Sequence, residues 1–167
     1  MNKTFAGETM TIRPAGADDE TAIVTMLRMS MMFRPDEQEF LRGVISEFFR
    51  IPGRQSHWLV LERNGVAGAA FFQPEMMSPE VWTLRFICLL PENRARGDGS
   101  ALLKAVEDAV AIRGGRMMLI EVPGVDHFEG SRRFYLNNGY DEEARIRDFY
   151  RVGDDRVVFR KVFAAQT

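Results

Sequence analysis

The sequence predicts an α/β fold built on a mixed sheet, and three features carry that prediction. The first is an apolar run, a glycine loop, a helical pattern and a second apolar run between positions 81 and 122, a strand–loop–helix–strand unit that demands a parallel strand pair. The second is an Asn64-Gly65 hairpin upstream, and the third is another hairpin at the end of the chain around Gly153-Asp154-Asp155. With 167 residues and no repeat, low-complexity tract or linker, the chain reads as one domain over 1–167.

The elements follow in order. Residues 9–13 alternate weakly as a first strand, and Asp18 or Asp19 is placed to cap a helix whose face is Ile23, Val24, Met26, Leu27 and Met29. Pro35 suits a first helical position, and Phe40, Leu41, Val44, Ile45, Phe48 and Phe49 form a wide stripe from there to Arg50. Strands are predicted over 58–62 and 66–73, joined by a two-residue turn at Asn64-Gly65. The run 81–90 is apolar almost throughout, as in a strand covered on both faces. A helix over 101–113 stops at Gly114-Gly115, a strand covers 117–122, a short helix over 130–138 is closed by Gly139, and two last strands cover 140–150 and 157–163.

Bulk composition excludes several functions. Lys and Arg number 22 against 24 Asp and Glu, a net charge of -2, so no global field attracts nucleic acid or an anionic membrane. No segment approaches the roughly 20 apolar residues of a membrane span. The single cysteine, Cys88, lies in an apolar run, which fits a buried hydrophobe in a reducing compartment and a cytoplasmic location. His57 and His127 are far apart and no cysteine-metal spacing exists, so no metal is expected.

Against that neutral background, Arg94-Ala95-Arg96-Gly97-Asp98-Gly99 stands out as an anion site. Glycines at 97 and 99 remove Cβ atoms and permit converging N–H groups; those donors then open a helix, where unpaired amides and the macrodipole favour phosphate. Arg94 and Arg96 add full positive charge. The loop is not a Walker loop, because no Gly-Lys-Ser/Thr follows, nor a dinucleotide fingerprint, because Leu102 occupies the third glycine position. A plain turn beside a helix is the bland alternative.

In this setting the loop resembles the acceptor loop of the GNAT superfamily of acyl-CoA-dependent N-acetyltransferases, Arg/Gln-x-x-Gly-x-Gly/Ala, matched by Arg94, Gly97 and Gly99. The preceding Ile87-Cys88-Leu89-Leu90-Pro91-Glu92 is similar to that family's strand with its proline exit. A second block, Arg133 to Tyr140, resembles the family's helix ending in a tyrosine, a polar pair, glycine and an aromatic. The resemblance covers nearly the whole chain. It implies a mixed, mostly antiparallel sheet of about seven strands with a central splayed parallel pair ending near Leu89 and Val122, and helices on both faces. It also implies acetyl-CoA as acyl donor, its pyrophosphate held by amides from Ala95 through Gly97 and Gly99 to Ser100 with Arg94 and Arg96, and its pantetheine amides paired with backbone near Ile87 and Leu89.

Direct transfer to an amine needs no enzyme nucleophile, and none is assigned to Cys88. The resemblance places a proton donor for the leaving thiolate at Tyr135, whose alternative is simple packing on its helix. Glu121, the one charge in 117–122, is the leading candidate for the base that accepts the ammonium proton, with His127 or water as alternatives. Three departures from the family pattern stand in the chain: Asp98 would repel phosphate unless it points away or caps the helix, Phe128 replaces a frequent asparagine, and 122–130 is a different loop. Met29, Met31, Met32, Phe33, Met76 and Met77 are either core or an adaptable acceptor pocket, Met32 being taken as substrate-binding. Arg85, a charge in an apolar strand, needs a partner, either an internal acid or the carboxylate of an amino-acid substrate. The expected activity is transfer of an acetyl group to the primary amine of a small molecule, an amino acid among the candidates; a homodimer is compatible with it. The rival readings are a non-catalytic acyl-CoA sensor and a peptide or protein N-acetyltransferase.

Overall fold

The computed structural model describes residues 4–5, 8–30, 33–51 and 57–163. Its strands are β1 (Thr4–Phe5), β2 (Glu8–Thr9), β3 (Thr11–Pro14), β4 (His57–Glu62), β5 (Val66–Glu75), β6 (Ser78–Leu89), β7 (Met117–Pro123), β8 (Asp141–Arg151) and β9 (Asp154–Val162). The helices are α1 (Glu20–Met29), α2 (Pro35–Arg50), α3 (Asp98–Ile112) and α4 (Glu129–Asn137). The strands β1 and β2 form a small ribbon, and the other seven form one sheet in the order β3-β4-β5-β6-β7-β9-β8. The pairs β3/β4, β4/β5, β7/β9 and β8/β9 are antiparallel, and β6/β7 is the parallel pair that the strand–loop–helix–strand pattern demands. Its ladder joins Val81–Leu84 to Met117–Ile120, and both strands continue beyond it, β6 to Leu89 and β7 to Pro123.

Two compact units divide the chain, with β5, β6 and α3 passing through both. The first holds the described residues up to Phe72 together with Phe86–Val106. Its core joins Ile23, Met26 and Leu27 of α1 and Ile45 of α2 to Trp58, Val60, Ala69 and Phe86 of the sheet. Burial of each of the Ile, Leu, Met, Val and Phe side chains among them contributes about 1.5–3 kcal/mol. Gly68, one residue from Ala69 and therefore on the opposite face, lets α3 sit close: a Cβ there would stand 2.5 Å from Leu89 Cδ2 and 3.4 Å from Leu102 Cδ2. Helices α1/α2 and the start of α3 thus cover opposite faces of the sheet in this unit.

The second unit, Gln73–Arg85 with the residues from Glu107 onward, is built around β7, β9 and α4. Phe159 of β9 packs 5.8 Å from the Tyr135 ring of α4. Gly139, at φ +80, closes α4: Gly139 N–H donates to the Leu136 carbonyl and Tyr140 N–H to that of Tyr135, the paired bonds of a left-handed helix end. Tyr140 is thereby turned inward, where its hydroxyl donates to Glu107 at 3.0 Å while Lys161 pairs with the same carboxylate at 2.9 Å. The chain's second family-like block is therefore a helix stop with a buried polar anchor.

Local expectations needed four corrections. The β4/β5 hairpin closes through three residues, Arg63–Gly65, with a register shift at Leu61/Glu62, because Arg63 N–H donates to the Gly65 carbonyl. Asp19 does not cap α1 with its side chain; its carboxylate takes the Gly16 N–H and the Arg13 guanidinium, which holds it below the usual carboxylate range. β5 and β6 run on to a two-residue turn at Met76 and Met77, which are 92 % and 90 % exposed and so are not core. Cover on both faces holds for Val81–Leu84 and ends at Arg85, which is exposed. Among the described residues no helix is long and apolar enough to cross a membrane.

Candidate active site

The glycine loop leaves β6 through a 3-10 turn at Pro91–Asn93 and enters α3 directly. Arg94, Ala95, Arg96, Gly97 and Ser100 are exposed, Gly99 is half-buried, and Ile87 and Leu89 of the preceding strand are half-buried. Ala95 has φ +62 and Gly97 φ +82. A side chain in that region costs about 1–2 kcal/mol, and Ala95 bears it at the point where a loop must turn its N–H groups inward. The first backbone bond of α3 runs from Ala101 N–H to the Gly97 carbonyl, so the amides of Asp98 to Ser100 precede the helical ladder. Arg94 donates through Nε to the Leu89 carbonyl at 3.4 Å, which ties the loop to the end of β6.

Asp98 resolves in the first of its two expected ways. Its carboxylate is buried and accepts a two-pronged bond from Arg63, at 2.8 Å to Nε and 2.9 Å to Nη2, with side-chain exposures of 7 % for Arg63 and 3 % for Asp98. The negative charge is turned under the loop and neutralised. Arg63 belongs to the hairpin turn 35 residues earlier, and no local spacing announces the pairing. Cys88 lies in the same unit with its thiol pushed up by burial, the state of an inert hydrophobe.

A second polar site lies in the other unit. Arg85 of β6 donates to Glu75 of β5 at 3.2 Å and stands 3.9 Å from Glu121 of β7. Thr83 also donates to Glu75, and Arg156 of β9 donates to Glu121. The Arg156 guanidinium lies 4.8 Å over the Phe149 ring of β8. Burial first, and then the neighbouring Arg85, push Arg156 below its ordinary value, with Glu75 opposing. The expectation of Arg85 as a buried cation is corrected: its side chain is 37 % exposed and its partner is internal. Glu121 and Arg85, read separately from the sequence and for different roles, stand together here, and Glu75, Thr83 and Arg156 join them without a sequence signal, since they come from three strands with no common spacing.

Tyr135 is buried on α4, with Phe134 at 5.2 Å and Tyr140 at 5.9 Å between ring centres, and burial pushes its phenol well up. His127 is exposed in the 3-10 turn before α4, edge-on to Phe128 at 5.0 Å. Arg132 pins this turn by donating to the carbonyls of Pro123 at 2.7 Å and Val125 at 2.9 Å. Met32 lies outside the described residues, as does Met31, while Met29 is exposed at the end of α1.

Comparison with known proteins gives a consistent result. Residues 53–142 match the family described as Acetyltransferase (GNAT) domain. The uncharacterized N-acetyltransferase YhfO of Bacillus subtilis (strain 168) is 25 % identical over 138 residues, covering 80 % of this chain and 91 % of that one. A crystal structure assigned to the GNAT acetyltransferases, from Desulfovibrio desulfuricans, superposes with a TM-score of 0.87 at 26 % identity over 93 % of this chain and 99 % of that one. The yncA protein of Salmonella typhimurium, solved with acetyl-CoA as its cofactor, shares the fold at a TM-score of 0.74 and 19 % identity, over 95 % and 96 % of the two chains.

Proposed function

The chain belongs to the GNAT family of acetyltransferases and is an N-acetyltransferase; we propose that it moves an acetyl group directly from acetyl-CoA to the primary amine of a small molecule. The observation that carries the reading is the glycine loop. Its exposed residues, two positive-φ positions and first-turn amides suit a pyrophosphate, and the one charge that would repel a phosphate is buried against Arg63. The residues therefore fit coenzyme A.

In this reading the amides of Ala95 to Ser100, with Arg94 and Arg96, hold the pyrophosphate, and the backbone of Ile87 and Leu89 offers donors and acceptors to the pantetheine amides. Bound acetyl-CoA would supply an acyl thioester: an N–C bond forms, the C–S bond breaks, and the nitrogen gives up two protons between ammonium and amide, one taken by Glu121 or water and released, the other matched by the proton that the thiolate gains. Glu121 attracts the ammonium and accepts its proton directly or through water. Tyr135 keeps its proton at neutral pH because burial disfavours the phenolate, which is the state a donor to thiolate needs. Cys88 takes no part.

Purified protein mixed with acetyl-CoA and a panel of amines should release free thiol. Calorimetric binding of acetyl-CoA without turnover on any amine would point to a sensor instead, and turnover on peptide N-termini alone to a peptide acetyltransferase.

A further inference from the structure

The four ionised groups on β5, β6, β7 and β9 form a closed pattern of charge that the proposed reaction uses only at Glu121. Glu75 is bridged to Arg85, Glu121 lies beside both Arg85 and Arg156, and Arg156 lies over Phe149. Two cations balance two anions. Arg85 and Glu75 are a little over a third exposed and Glu121 about a quarter, so a ligand has access. The two guanidiniums have more donors than their two acids use, and Arg156 Nε is buried with no hydrogen-bond partner.

Resting on the acetyltransferase reading above, we propose that this cluster is the acceptor-recognition site and that the acceptor is an amine carrying its own carboxylate, as an amino acid does. A bare ammonium brought to Glu121 would be a third cation beside two arginines, and a polyamine would be worse. A zwitterion adds no net charge: its ammonium pairs with Glu121 or Glu75 and its carboxylate takes the spare donors of Arg85 and Arg156. The same logic disfavours a peptide N-terminus, whose neighbouring carbonyl is neutral. Phe149 and Tyr150, half-exposed with their rings 5.0 Å apart, offer apolar contact to the rest of the molecule.

The test compares the standard amino acids with their carboxamides and with spermidine as acceptors, reading free thiol. At least one free amino acid should exceed its carboxamide by about tenfold or more in kcat/KM, because a site built for a polar group rejects the analogue lacking it. In Arg156→Gln and Arg85→Gln that gap should close through a raised KM, with kcat changed little; Arg156→Lys, which keeps the charge without the fork, should close it partly and guards against misfolding of the glutamine variant. Equal rates on acids and amides, or a gap that survives in all three variants, would overturn the proposal. If no amine is acetylated, the acetyltransferase reading fails by itself, and calorimetry with the same amino acids decides the site: carboxylate-dependent binding lost in Arg156→Gln supports it, and no binding overturns it.

Discussion

In the reading proposed above, the glycine loop and the charged cluster each take a charged ligand, but by opposite means. In the loop the groups proposed to recognise the ligand are backbone amides set by six consecutive residues, and its one acid, Asp98, is folded away onto Arg63. In the cluster the groups proposed to recognise the ligand are side chains from four strands, and its acids face its cations while partly exposed. A backbone site tolerates changes of side chain provided φ is kept; a side-chain site tolerates changes of backbone far away but no change of charge. Substitutions should therefore hurt the two regions in different currencies, and that contrast is testable.

The largest effect should come from Asp98→Ala, which leaves the Arg63 guanidinium buried without its main acid. Breaking a buried pair on one side costs about 3–5 kcal/mol of stability, readable as a lowered urea midpoint. Replacing both members with apolar residues, Arg63→Met with Asp98→Leu, should recover most of the loss. If Asp98→Ala instead weakened coenzyme binding with stability untouched, the acid would belong to the ligand site and the contrast would fail.

Next comes Gly97→Glu. At φ +82 any side chain is strained, and a carboxylate about 6 Å from a phosphate costs about 3 kcal/mol at an effective dielectric of 20, roughly a hundredfold in affinity for acetyl-CoA by calorimetry. Gly97→Ala carries only the strain and should lose far less. Comparable losses in the two would mean that conformation, not charge, governs the loop.

Of similar size but different kind are Tyr135→Phe and Glu121→Gln, each expected to lower kcat by about a hundredfold while acetyl-CoA affinity stays put. Burial raises the Tyr135 phenol, so the donor form persists as pH rises and is lost only above the ordinary tyrosine value of about 10. A wild-type kcat that falls well below that pH would assign the alkaline limb to another group, and an unchanged rate in Tyr135→Phe would give the proton to water.

What the sequence disclosed follows the same division. Periodicity placed the helices and most strands, and the strand–loop–helix–strand unit required the parallel pair, because these depend on neighbours within one turn or one pleat. The loop was legible for the same reason: Gly97, Gly99 and a helix start lie within a few residues. Arg63 with Asp98, and Arg156 with Glu121, both meet across 35 positions, and chain proximity holds no trace of such pairs. Arg85 is legible as a charge in an apolar strand, but its exposure is not, since what one face of a strand leaves uncovered depends on the sheet's neighbours.

The smallest effect tests the loop's conformation alone. Ala95 sits at φ +62 without a glycine's freedom, and the left-handed region costs an L-residue about 1–2 kcal/mol. Ala95→Gly removes that strain in the folded state but adds chain entropy to the unfolded one, worth about 0.4–1 kcal/mol in the other direction. The balance is a stabilisation of about 0–1 kcal/mol, visible as a small rise in Tm. Coenzyme affinity should move the opposite way or not at all, because a glycine there is less firmly held in the conformation that aims the amides at phosphate. A rise in both stability and affinity would show that Ala95 opposes the bound geometry, and the loop would then be shaped by its side chains after all, as the cluster is.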